Sequence, residues 1–157
     1  MLFRIALPAL ALIAGIHGAQ AQNLAASDPA AIAATITQMG YRSEMQADPQ
    51  GNPKIASSAE GVNFSIYFYG CSGEHDKCTS IQFRAGFDKK DPLDQSVATE
   101  WNETKRFAKA TLTSNGDPIL RFDVNLDKDG VTKSNFTDTF RIWTLLLSQF
   151  KTHIKWN

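Results

Sequence analysis

The chain reads as an α+β protein: one antiparallel sheet of five to six strands with helices packed on one face, in the order α-β-β-β-β-α-β-β-α. Three observations predict this. Val62 to Gly70 and Thr79 to Phe87 each alternate apolar and polar residues, and a short polar loop joins them, which is the signature of a hairpin. Ala108, Ala110 and Leu112, then Leu120, Phe122, Val124 and Leu126, repeat the alternation around Asn115-Gly116, a strong hairpin turn because both residues tolerate positive φ. Finally, Phe136, Phe140, Trp143, Leu147, Phe150 and Ile154 form an apolar helical seam about five turns long. The apolar faces of the strands have to be buried against something, and this seam is the natural cover.

The remaining elements follow from local chemistry. Residues 22–27 are small and polar, so a frayed start is expected. Asp28-Pro29 opens a helix, since Asp can cap and Pro suits the first helical position. Ile32, Ile36 and Met39 keep helical spacing, and Gly40 stops the helix. Tyr41 to Ala47 alternates as a strand with one wet face. Asp48 to Pro53 is dense turn chemistry, after which Lys54 to Ser58 reads as a weak, short edge strand. Leu93, Val97 and Trp101 recur every fourth residue, giving an amphipathic helix that ends near Arg106. Trp101 continues that stripe as a core residue. Asn102 lies beside it, either solvated or bonding a neighbouring backbone. Ser134 is the expected N-cap of the last helix.

The first 21 residues read as a secretory leader. Arg4 provides a basic start, Ile5 to Ile16 an apolar run, and Ala19-Gln20-Ala21 a small-x-small cleavage site. The run is too short to span a bilayer, which takes about 20 apolar residues, so no membrane anchor is expected. The expected mature chain, residues 22–157, suits a single domain, placed in the periplasm or secreted. It carries 15 basic against 16 acidic residues, a net charge of −1. No basic run offsets that balance, and nucleic acid is not an expected partner.

Cys71 and Cys78 are the cysteines of the chain. In an oxidising compartment the first expectation is a disulfide, which at this loop length contributes about 2.5 kcal/mol on the chain-entropy estimate. They sit at the neck of the first hairpin, where a bond closes with little distortion. A metal site would have to use Cys71, Cys78 and His75, three ligands at irregular spacing without a fourth, so no metal is expected.

Several stretches match a known pattern in order and spacing. They are Gly40-Tyr41 after the first helix, Val62-Asn63-Phe64-Ser65-Ile66-Tyr67-Phe68-Tyr69-Gly70-Cys71, and Cys78-Thr79-Ser80-Ile81-Gln82-Phe83. Trp101-Asn102 with Arg106-Phe107, and Gly116-Asp117-Pro118 followed by a Leu-rich strand and Asn135-Phe136, complete the set. With these the chain resembles the YbjN family of small bacterial proteins. The resemblance implies a fold like that of the type III secretion chaperones, which often pair into dimers. It also implies a regulatory or chaperone-like role without established enzyme activity, and it supplies no catalytic residues.

The residues themselves offer little chemistry. Asn125-Leu126-Asp127-Lys128-Asp129-Gly130 resembles the start of a calcium loop, but Phe136 stands where a bidentate Glu is required, so a polar turn is expected. No nucleophile elbow, zinc helix or phosphate-binding Gly loop is present, and no cofactor is expected. The expectation is therefore a non-enzymatic exported protein-binding module, chaperone-like or regulatory, with an unknown protein partner or a second copy of itself. The alternative is a small periplasmic enzyme or a ligand- or metal-binding protein, which would show a deep pocket with converging polar groups. The candidate contact surface is the second face of the strands, carrying Arg42, Glu44, Tyr67, Tyr69, Gln82, Arg84, Arg121 and Asp123. Tyr and Arg are the residue types enriched where partners bind.

Overall fold

The protein is seen in a computed structural model that describes residues 23–75 and 77–156. The leader of residues 1–21 lies outside them. Eleven elements follow one another: β1 (Asn23–Leu24), α1 (Pro29–Gln38), β2 (Ser43–Ala47), β3 (Pro53–Ala59), β4 (Val62–Tyr69), β5 (Ser80–Gly86), α2 (Gln95–Thr104), β6 (Lys109–Leu112), β7 (Pro118–Asn125), β8 (Val131–Thr132) and α3 (Lys133–His153). Six strands form one antiparallel sheet in the order β2-β3-β4-β5-β7-β6. The α+β class and the element order are those read from the sequence, with β1 and β8 added as a small separate ribbon.

The core lies between one face of this sheet and the helices. Val62, Phe64, Ile66 and Phe68 of β4, and Ile81, Phe83 and Ala85 of β5, all point into it and are buried. The α3 seam meets them: Phe136, Phe140, Trp143, Leu147, Phe150 and Ile154 are all buried. Phe83 is the hub, with its ring centroid 5.5 Å from Trp143, 6.1 Å from Phe140 and 6.4 Å from Phe64. These are tilted and edge-on contacts, the geometries that the ring quadrupole favours. Helix α2 joins the same layer through Trp101, whose ring lies 4.8 Å from Phe150. Helix α1 closes the other end, and Tyr41 just beyond it stacks 4.9 Å from Phe140.

The helix starts are set by side-chain oxygens. Asp28 accepts the Ala31 N–H at 3.0 Å and caps α1, with Pro29 in the first turn. Asp94 accepts the Ser96 N–H at 2.9 Å and caps α2. The cap of α3 is Thr132, which accepts the Asn135 N–H at 3.2 Å, rather than Ser134. Ser134 is already helical, and its hydroxyl lies against that of Thr132 at 3.0 Å. Pairing of β8 with β1 brings Thr132 into extended geometry, and so moves the helix start two residues earlier.

Three other expectations are corrected. The start of the domain is held rather than frayed: Leu24 pairs with Val131, and Leu24 and Ala26 are buried. The close approach of this segment excludes a side chain at Gly130, where an added Cβ would come within 2.1 Å of the Leu24 carbonyl oxygen. Next, Lys54 to Ser58 is no edge strand. As part of the seven-residue β3 it lies inside the sheet between β2 and β4. Its small residues suggested weakness, yet Ile55, Ser57 and Ala59 are buried, and the Ser57 hydroxyl donates to the Arg42 carbonyl at 2.7 Å. The true edge is β2, and its exposure extends to both faces, Met45 included.

The opposite edge strand, β6, is covered. Asn102 of α2 holds Ala110 by both of its backbone groups, and Trp101 Nε1 donates to the Ala108 carbonyl at 2.9 Å. In the turn from β6 to β7, Thr113 pairs with Asp117 and only Gly116 takes positive φ, so the loop is longer than a two-residue Asn-Gly hairpin. That turn packs onto Pro92, whose Cβ would lie 2.6 Å from a Cβ at Gly116.

Candidate functional site

With the helices gathered on one side, the other face of the six-stranded sheet carries the polar residues of every strand. Strand register fixes which of them are neighbours. One row runs Glu44, Ala56, Ser65, Arg84, Arg121, Lys109 across β2, β3, β4, β5, β7 and β6. The next runs Gln46, Lys54, Tyr67, Gln82, Asp123. Tyr69 follows, opposite Ser80. The structure thus brings Tyr67, Tyr69, Gln82, Arg84, Arg121 and Asp123 together on three central strands. Arg42 and Glu44 stand at the β2 end of the face, joined by an exposed ion pair at 3.8 Å.

Contacts within this face are specific. The Arg84 guanidinium lies 5.8 Å from the centre of the Tyr67 ring, and Lys54 Nζ approaches the same ring at 6.0 Å. Gln82 Nε2 donates to Asp123 Oδ1 at 2.7 Å. Arg121 Nη1 donates to the Thr111 hydroxyl. Burial raises the pKa of the half-exposed Tyr69 hydroxyl, against the pull of the Arg84 charge. Burial, and after it the Arg84 charge, lowers the pKa of the Arg121 guanidinium.

Beside Arg84 the face dips into an open groove of about 440 Å³. Its wall includes Arg42, Tyr67 and Arg84, and Asp88, Thr113 and Asp117 border it as well. Gly86 leaves its floor bare, since a Cβ there would meet nothing within 4 Å. Sequence reasoning missed Lys54, Gly86, Lys109 and Thr111 as members of this surface. Register was the absent information: alternation tells which face a residue takes, but not which strand lies beside which.

The cysteine loop lies apart from this face. Cys71 and Cys78 are joined in a disulfide, so neither sulfur is available as a nucleophile or ligand. His75 turns away to the β2–β3 turn, where its Nδ1 meets Asn52 Oδ1 at 2.8 Å. At the supposed calcium loop, Asn125 Oδ1 accepts the Asp127 N–H at 3.0 Å and Asp127 Oδ1 the Lys128 N–H at 2.8 Å, the bonds of a polar turn. Phe136 is buried in the core. Among the described residues no three His, Cys, Asp or Glu side chains are grouped as metal ligands. No described helix is long and apolar enough to cross a membrane.

A family model named YbjN, with the description "Putative bacterial sensory transduction regulator", matches residues 28–156. Neither a curated protein nor a solved structure matches the chain.

Proposed function

Since the chain belongs to the YbjN family, we propose that it is an exported, non-enzymatic regulatory or chaperone-like module that holds a protein partner against the open face of its sheet. The observation that carries this reading is the asymmetry of the sheet. Three helices cover one face, and the other presents Tyr67, Tyr69, Arg84 and Arg121 on adjacent central strands. These side chains combine broad contact area with polar ends, as protein-contact surfaces do. A second copy of the chain is one candidate partner. The Cys71–Cys78 disulfide supports an oxidising compartment, as does the leader read in residues 1–21. Residues 22–157 then act as a single domain.

A second reading, a ligand carrier or small enzyme, draws on the groove beside Gly86. Its volume falls in the range of ligand sites, which is about 300–1,000 Å³. Such sites enclose most of their ligand, however, whereas this groove is open along the sheet. A flat, long contact suits it better than an enclosed molecule.

The test is a double variant, Tyr67→Ala with Arg84→Ala, expressed with its leader. It should melt near the wild-type temperature while losing self-association or capture of a periplasmic partner. Unchanged sedimentation together with unchanged capture would return the face to plain solvent-facing sheet.

A further inference from the structure

The β5–β7–β6 side of the open face gathers like charges that no ion pair among the described residues offsets. Arg84 and Arg121 are direct cross-strand partners. Their place in the ladder makes the approach close. Phe87 N donates to Pro118 O and Leu126 N to Thr79 O, both at 3.0 Å, which fixes the odd-numbered residues of β5 as the hydrogen-bonded ones. Arg84 and Arg121 therefore form a non-hydrogen-bonded pair, in which Cα atoms come to about 4.5 Å and side chains are nearest. Lys109 lies opposite Arg121 on its other side. Three cations thus stand side by side on β5, β7 and β6.

Like charges directly opposite one another destabilise a sheet. A structural role for these residues would call for carboxylates among them. The ion pairs among the described residues are Arg42–Glu44, Lys128–Asp127 and Arg141–Asp138, so none involves this row. The nearest acid along β7, Asp123, accepts from Gln82 and favours the Arg121 charge from a distance, but forms no ion pair with it. Arg121 uses one nitrogen on Thr111, and Arg84 leans on the ring of Tyr67, contacts that fix both guanidinium groups without neutralising them. This happens in a chain of net charge −1 after removal of the predicted leader, so the cationic row is local and not a reflection of overall charge.

We propose that the Arg84–Arg121–Lys109 row is a docking site for an acidic protein segment, one that carries several carboxylates in sequence. The proposal rests on the reading of the open face as a contact surface and supplies the chemistry of its partner. Guanidinium groups bind carboxylates in a two-pronged geometry that an ammonium cannot copy, and two neighbouring ones suit two successive acidic side chains. Adjacent strands stand about 4.8 Å apart, so three cations span about 10 Å. That is wider than one small anion and open at both ends. Tyr67 and Tyr69 lie beside the row on β4, opposite Gln82 and Ser80, and add contact area along one side of it.

A ten-residue oligoglutamate peptide is the probe, titrated against the full mature chain at low and at moderate salt. An oligolysine peptide of equal length and inorganic phosphate at matched ionic strength are the controls. Oligoglutamate should bind and raise the melting temperature, and its affinity should fall steeply as salt screens the charges. Arg84→Gln with Arg121→Gln should weaken it at least tenfold while melting at or above the wild type, because the like-charge contact is relieved. Equal binding by the double variant would overturn the proposal, as would phosphate alone saturating the effect. A double variant melting well below the wild type would mark the arginines as part of the fold's own support and overturn it too. If oligoglutamate fails while a partner is still captured in a Tyr67-dependent way, the acidic assignment falls and the contact face stands.

Discussion

The side chain of Asn102 treats Ala110 as a neighbouring strand would: its Nδ2 donates to the Ala110 carbonyl at 2.9 Å, and its Oδ1 accepts the Ala110 N–H at 2.8 Å. Both backbone groups face outward from the edge strand β6, where nothing in the sheet can reach them. Asn102→Ala should therefore strip two partners at once. At about 1–3 kcal/mol for each unsatisfied group, tempered by water at this partly buried site, the loss is about 2–4 kcal/mol. Hydrogen exchange at the Ala110 amide measures it directly. Exchange as slow in Asn102→Ala as in the wild type would show that the clamp contributes nothing.

The two buried tryptophans should respond differently to the same substitution. Trp101 Nε1 donates to the Ala108 carbonyl at 2.9 Å, whereas Trp143 Nε1 meets no acceptor among the described residues. Replacing either by Phe keeps an aromatic ring in the core. Only Trp101→Phe also orphans a carbonyl, so it should cost about 1–3 kcal/mol more than Trp143→Phe. Urea melts of the two variants decide the point. Equal losses would mean that ring volume alone sets the cost.

Acid should weaken the fold through two aspartates, Asp48 in the β2–β3 turn and Asp94 at the start of α2. Desolvation raises the Asp48 pKa, but the hydrogen bonds it receives from Asn52 and Gln50 outweigh this and leave it lowered. Asp94 is lowered chiefly by hydrogen bonding to Ser96, side chain first and then backbone. For both, the folded value lies below the unfolded value of about 3.9. Their contribution is thus fully present above that value and is lost as pH falls through the lower, folded one. Melts taken from about pH 5 down to about pH 2 should show stability falling. Asp48→Asn with Asp94→Asn, which keeps acceptors in place without the charge, should flatten the acid limb. An unchanged slope would assign it to other carboxylates.

Most of the fold was legible because its strongest strands and its last helix carry unmistakable periods. Phe64, Phe83 and Phe140 needed no structure to be placed in a core. The errors fell where small residues carry the signal. Ala56, Ser57 and Ser58 look too slight for an interior strand, yet β3 pairs on both sides, with only Ser57 of the three turned into the core while Ala56 and Ser58 lie on the open face. Leu24 and Ala26 looked frayed because their partners, Val131 and Leu126, lie a hundred residues or more away. The candidate face was legible as a set of residues. Its internal order was not, because Arg84 and Arg121 meet only through a register that β6, β7 and β5 establish together. The same holds for Asn102, whose role depends on a helix lying against an edge that alternation cannot identify.

The clamp on Ala110 has a geometric consequence for the sheet as a whole. One boundary is sealed by a side chain that imitates a backbone. At the other, β2, the ladder to β3 passes through the Asp48 N–H, which donates to the Asn52 carbonyl at 2.9 Å. Ladder bonds alternate along an antiparallel pair, so the backbone groups of Ser43, Met45 and Ala47 point away from β3. The sheet is therefore a one-ended template. Any further strand, whatever its source, has a single side on which to align, and it would lengthen the polar face at its Arg42–Glu44 margin while leaving the cationic row at the far end untouched.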